Sequence, residues 1–192
     1  AYFERWLQTW ERQAWTRARF VAGDERLGQA LLQLIDPYVW GDGLDADAVR
    51  DIRRMKARVE QVRIPVGEDA EFHLKLGKGS LSDIEWTAQL LQLRHGLHAP
   101  GTMVALDRLR QHGVLDPDDA AVLHEAYAFC ERTRNRWSIV HGGPADSLPQ
   151  QADRLAVLAR SLDTTGADLR NEYRRVTRKS RAVVERIFYG RA

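Results

Sequence analysis

Residues 73–96 read HLKLGKGSLSDIEWTAQLLQLRHG, a glycine turn that runs straight into a helix with almost no polar face. From Leu81 to His95 the apolar positions Leu81, Ile84, Trp86, Leu90, Leu91 and Leu93 fall on nearly every side of the helical wheel. A helix that is apolar all round belongs at the centre of a fold, with other elements packed on each side of it. The rest of the chain therefore has to supply one-sided elements that cover it.

The flanking sequence supplies such elements, all of them helical. Residues 2–19 carry Phe3, Trp6, Leu7, Trp10 and Ala14 on one side. Asp24 caps a second helix that runs to about Ile35, and Pro37 stops it. Trp40-Gly-Asp-Gly reads as a turn. A third helix spans residues 45–64, with Ala48, Ile52, Met55, Val59 and Val62 as its stripe and Asp45-Ala-Asp47 at its start; Pro65 and Gly67 end it. After the central helix, closed by Gly96, Thr102 caps a short helix to His112. Asp116-Pro117 opens a long one through Val140, with Val122, Ala126, Cys130, Thr133, Trp137 and Val140 on one face, and His141-Gly-Gly-Pro breaks it. Two more follow, over residues 150–162 and 167–189; the last turns Leu169, Tyr173, Val176, Val183 and Ile187 inward. Only residues 73–76 read as extended. The expected fold is all-α, an irregular or orthogonal bundle of about seven or eight helices. The even spread of stripes over residues 1–192 argues for one core in a single helical domain.

The turn itself admits two readings. Gly77 and Gly79 allow a tight turn and a close backbone approach. Ser80 or Ser82 can cap the central helix, with Asp83 or Glu85 three residues on as capping-box partner. In the structural reading this is a glycine loop with a well-capped helix. In the functional reading, free N–H groups at the helix start, beside Lys75 and Lys78, take a phosphate. Asp83 and Glu85 lie about 200° apart on a helix, so they share a ligand only if the helix starts after Asp83.

Composition narrows the classes. Cys130 is the sole cysteine, which excludes an internal disulfide and fits a reducing cytoplasm. It sits in an apolar helical pattern, as a buried structural thiol does. No run approaches the roughly 18 apolar residues of a membrane span. A net charge of +2, from 29 basic and 27 acidic residues, is too balanced to argue for nucleic acid on charge alone. Among the six histidines only His95 and His98 have helical spacing, and Gly96 interrupts them, so no metal site is expected. Ser138 and Ser147 lie in no nucleophile-elbow pattern. Trp6 and Trp10 share one face of the first helix, which would pack in the core or on a neighbour. The last helix carries Arg170, Arg174, Arg175, Arg178, Lys179, Arg181 and Arg186, either as a solvated face or as a surface for an anionic partner.

Leu74, Lys75, Gly77, Gly79, Asp83 and Glu85 match the signature Leu-Lys-x-Gly-x-Gly-Gly-x-x-Asp-x-Glu-Phe, with Ser80 in place of the second paired glycine and Trp86 in place of the aromatic. That signature is found in the helical domains of glutamate–ammonia-ligase (glutamine synthetase) adenylyltransferases and their PII-uridylyltransferase relatives, and the chain resembles those domains. Residues 2–24, 52–60 and 173–190 are similar to the same family, so nearly the whole chain is covered. The family's nucleotidyltransferase domains carry Gly-Ser followed by Asp-x-Asp, whose aspartates hold magnesium. Here Gly79-Ser80 is followed by no such pair. The resemblance therefore implies the C-terminal helical domain without its upstream catalytic domain, inactive alone, with an ending like that of the AMP-adding half. It implies ATP and Mg2+ in the intact enzyme. Lys75, Gly77, Lys78, Gly79, Ser80, Asp83 and Glu85 would then stand near the nucleotide phosphates. The implied partners are that upstream domain, glutamine synthetase and a PII-type regulator. The alternative is a non-catalytic docking module that uses Trp6 and Trp10, or Arg174, Arg175 and Arg178.

Overall fold

A computed structural model describes residues 2–41, 43–62, 64 and 68–191. They form helices α1 (Tyr2–Trp6), α2 (Thr9–Trp15), α3 (Glu25–Trp40), α4 (Ala46–Val62), α5 (Leu81–His95), α6 (Thr102–Gln111), α7 (Pro117–His141), α8 (Ala152–Arg160) and α9 (Gly166–Ile187). No strand occurs among the described residues. The one extended pairing is an isolated antiparallel bridge between His73 and Ser147, so residues 73–76 are mostly turn.

Helix α5 occupies the centre that its sequence demands. Ile84, Leu90 and Leu93 are wholly buried, and α2, α4, α6, α7 and α9 all pack against it. The long helices α7 and α9 lie side by side and bury Ala126, Cys130, Tyr173 and Val176. Burial pushes the Cys130 thiol up to about 12, which makes it inert as a nucleophile. Gly96 and Gly142 close α5 and α7 in the left-handed conformation, with φ of 62° and 77°. Asp24, Asp45 and Asp116 accept from the first-turn amides of Leu27, Ala48 and Asp118.

Several expected boundaries move. Residues 2–19 form two short helices, because Gln8 is extended and its amide donates to Glu11, starting a new helix. Pro37 does not stop α3. A proline removes one hydrogen bond, and burial of Ile35 and Val39 on either side keeps the helix going to Trp40. Gly101, not Thr102, sits at the N-cap of α6. On α4, Val62 is exposed, and the buried face runs through Ile52 and Lys56. The turn that includes Asp42 and the helix end assigned to Pro65 and Gly67 lie outside the described residues.

Candidate functional site

The signature turn crosses α9 near the middle of that helix, and its glycines are there for contact. A Cβ on Gly79 would meet the Thr177 carbonyl oxygen at 2.0 Å and the Arg181 nitrogen at 2.9 Å. Gly79 also has φ of +75°, a region that side chains disfavour. A Cβ on Gly77 would meet the His73 carbonyl oxygen at 2.4 Å and the Tyr173 hydroxyl at 2.6 Å. The two glycines let the loop backbone lie directly on the last helix.

The amides of the loop are turned inward. Gly77 N–H donates to His73 O, Ser80 N–H to Gly77 O, Leu81 N–H to Leu74 O and Ser82 N–H to Lys75 O. The Lys75 and Leu76 amides both donate to His73 Nδ1, at 3.2 and 3.0 Å. Nδ1 is thus unprotonated and the imidazole is neutral, with Nε2 3.3 Å from the Glu68 carboxylate. Burial pushes the His73 pKa down against the opposing charges of Glu68 and Asp146. The expected capping box does not form. Ser80 Oγ donates back to the Gly77 carbonyl, and Asp83 reaches one residue further to accept from the Gly79 amide at 2.6 Å.

Asp83 is the hub of a buried ion network. Its Oδ1 takes the Lys56 ammonium of α4, and its Oδ2 takes Arg181 of α9 at 2.7 Å beside the Gly79 amide. Asp83 and Lys56 are each 1% exposed. Glu60 closes the ring, accepting from Lys56, Arg181 and the Tyr189 hydroxyl at 2.9, 3.1 and 2.9 Å. Burial alone would raise the Glu60 carboxyl, but Lys56, Arg181 and Tyr189 hold it at about 2. Burial and the neighbouring carboxylate push the Tyr189 phenol up, so it stays protonated as a donor. Two cations and two carboxylates, each hydrogen-bonded, make a buried network that loses heavily when one member is removed.

The expected site residues therefore separate. Gly77, Gly79, Ser80 and Asp83 are buried in the loop–helix junction. Lys75 and Lys78 are exposed on its outer side and carry no ion pair among the described residues. Glu85 turns away from them all. It accepts from Tyr127 at 3.2 Å and faces Arg17 at 3.6 Å, as the two-residue spacing from Asp83 required. On α9, Arg174 pairs with Glu71, Arg175 with Glu125 and Glu172, and Arg186 with Asp119. Arg178 and Lys179 are exposed without an ion pair among the described residues. Trp6 and Trp10 are exposed, at 65% and 53%. The sequence reading missed Lys56, Glu60 and His73 as organisers and placed Arg181 on a polar arc. The signal for Lys56 was its position four residues after Ile52, on the buried face. No group of three His, Cys, Asp or Glu side chains able to hold a metal occurs among the described residues.

A helical core built around a glycine turn clamped to its last helix defines the class. The family model described as GlnD PII-uridylyltransferase matches residues 49–189, and the chain belongs to that family. A second model, described as glutamate-ammonia ligase adenylyltransferase, matches residues 1–34. Bifunctional glutamine synthetase adenylyltransferase/adenylyl-removing enzymes are similar throughout. That of Streptomyces avermitilis is 48% identical over 99% of this chain and 20% of its own length. That of Corynebacterium diphtheriae is 41% identical over 98% and 19%, and that of Mycobacterium tuberculosis 43% over 98% and 20%. The chain spans about a fifth of the length of these relatives. No helix among the described residues is long and apolar enough to cross a membrane.

Proposed function

We propose that this chain is the helical accessory domain of a bifunctional glutamine synthetase adenylyltransferase, assisting ATP-dependent transfer of AMP to a tyrosine of glutamine synthetase. The observation that carries the reading is the pair of uncommitted lysines, Lys75 and Lys78, on a turn held rigid against α9. Because the loop amides of residues 75–77 and 79–82 are engaged internally, the two ammonium groups, not a backbone cradle, would meet the nucleotide phosphates. A phosphate contact made from a fixed turn needs no reorganisation when charge shifts during transfer. Asp83 acts as the positioning residue, since both of its oxygens are spent on Lys56, Arg181 and the Gly79 amide. Glu85 has no part in this. Magnesium would travel with ATP and take its protein ligands from an upstream nucleotidyltransferase domain, because Asp83 has no oxygen to spare. In the full-length parent, Lys75→Ala with Lys78→Ala should cut AMP transfer roughly tenfold or more. An unchanged rate in a variant with normal thermal stability overturns the reading.

A second reading rests on Arg178 and Lys179, exposed cations of α9 that form no ion pair within 4 Å among the described residues, although Lys179 lies in the field of Glu172. They would dock an acidic face of glutamine synthetase or of a PII-type regulator. Binding that survives loss of Lys75 and Lys78 but not Arg178→Glu would favour docking over phosphate contact.

A further inference from the structure

Twelve large apolar side chains are exposed among the described residues, and seven of them lie within residues 2–34. The other five are spread over residues 62–157, at Val62, Val104, Ile139, Val140 and Val157. The early ones are ordered. Leu27, Leu31 and Leu34 follow the spacing of one helical stripe along α3 and are 73%, 44% and 59% exposed. That stripe adjoins the face of α3 that buries Ile35 and Val39, with Leu31 one turn before Ile35 at the edge of the core. Helices α1 and α2, which pack on α3, add exposed Trp6 and Trp10. Three exposed leucines in register on α3, with exposed tryptophans on the two helices that pack on it, are the composition of a covered interface, not of a solvated face.

The match to the adenylyltransferase family model covers residues 1–34, and the last exposed leucine of the stripe is Leu34. The second family model begins at residue 49, where the exposed apolar side chains become scattered. The relatives are about five times the length of this chain. The remaining polypeptide of such a parent is tethered to this surface at millimolar effective concentration, which a free partner rarely reaches.

We propose that residues 2–41 are an interdomain arm, and that the Leu27–Leu31–Leu34 stripe with Trp6 and Trp10 is covered by another module of the same polypeptide in the intact protein. The proposal does not depend on the phosphate reading of Lys75 and Lys78.

Hydroxyl-radical footprinting of the isolated chain and of the intact parent tests it. Oxidation of Trp6, Trp10, Leu27, Leu31 and Leu34 should be at least about threefold slower in the parent at every protein concentration. Val104 and Ile139 should react equally in both. Equal rates at the arm overturn the proposal. So does protection in the isolated chain that grows with its concentration, which would mean a second copy, and so does protection of the parent that appears only when glutamine synthetase or a regulator is added. Leu27→Asp with Leu31→Asp and Leu34→Asp provides the second measurement. It should move the melting temperature of the isolated chain by no more than about 2 °C, because Leu27 and Leu34 lie largely in water and Leu31 is 44% exposed. In the parent it should bring oxidation of Trp6 and Trp10 up to the rate of the isolated chain, and unchanged protection there overturns the proposal.

Discussion

The glycine loop and the first forty residues meet solvent in opposite ways. In the loop the polar groups are spent internally: His73 takes two amides, Asp83 takes two cations and an amide, and glycines bring backbone onto backbone. Along α3 it is apolar groups that remain over, with Leu27, Leu31 and Leu34 facing water. The loop is complete within this chain, and the arm is not. A short sequence signature can thus record an internal junction, with its outward role left to the few side chains, Lys75 and Lys78, that the junction does not use.

The sharpest way to break the contrast is at the two aspartates that hold loop and arm. Asp83→Ala strands Lys56 and Arg181 in a buried network with only Glu60 and Glu185 to share. It should destabilise the chain by about 3–5 kcal/mol. Asp24→Ala removes only the cap of α3 and should cost about 1 kcal/mol. Urea unfolding of the two variants measures both. Equal losses would mean that the network contributes no more than a surface cap.

A second pair compares two glycines of positive φ. Gly79→Ala meets the Thr177 carbonyl oxygen at 2.0 Å, which is backbone and cannot swing aside, whereas a Cβ on Gly23 meets nothing within 4 Å. The first should cost about 2–4 kcal/mol, from strain and overpacking together, and the second about 1 kcal/mol from strain alone. Thermal melts of Gly79→Ala and Gly23→Ala decide it, and a larger loss at Gly23 would refute the docking of the loop on α9.

Acid should act on the loop in two windows. His73 has its pKa pushed below the ordinary 6.5, so its contribution is complete above that value and is lost as pH falls through the lowered pKa. Glu60, lowered from 4.5 to about 2, contributes fully above 4.5 and fades between there and 2. Melting temperatures of the native chain should therefore fall in both ranges. Glu60→Gln should start lower at neutral pH and lose less below pH 4.5, so that the two curves converge. Parallel curves would remove Glu60 from the network.

Much of this was legible in the sequence, and the reasons differ from place to place. The central position of α5 followed from its lack of a polar face, and the caps at Asp24 and Asp116 from local hydrogen-bond chemistry. The glycine turn was legible as a feature but not as a junction, since Thr177 and Tyr173 lie about a hundred residues away and no local pattern names them. Lys56 was hidden for a related reason. A lysine on an apolar stripe looks like a surface residue until the buried Asp83 that neutralises it is in place. At Pro37 the local pattern points to a helix end, because the burial of Val39 that carries the helix past the proline is a tertiary effect.

The smallest effect tests the arm most directly. Leu31→Ala in this chain removes a side chain that is 44% exposed and should change stability by no more than about 0.5 kcal/mol. The same truncation at Leu90, wholly buried in α5, should cost about 2–5 kcal/mol because it leaves a cavity that rigid neighbours cannot fill. Both can be read from one set of denaturant midpoints. A near-zero value at Leu31 is the expected behaviour of a side chain whose partner is elsewhere. A loss at Leu31 that approached the one at Leu90 would mean that α3 already packs its leucines within this chain, and the contrast between a finished loop and an unfinished arm would fail.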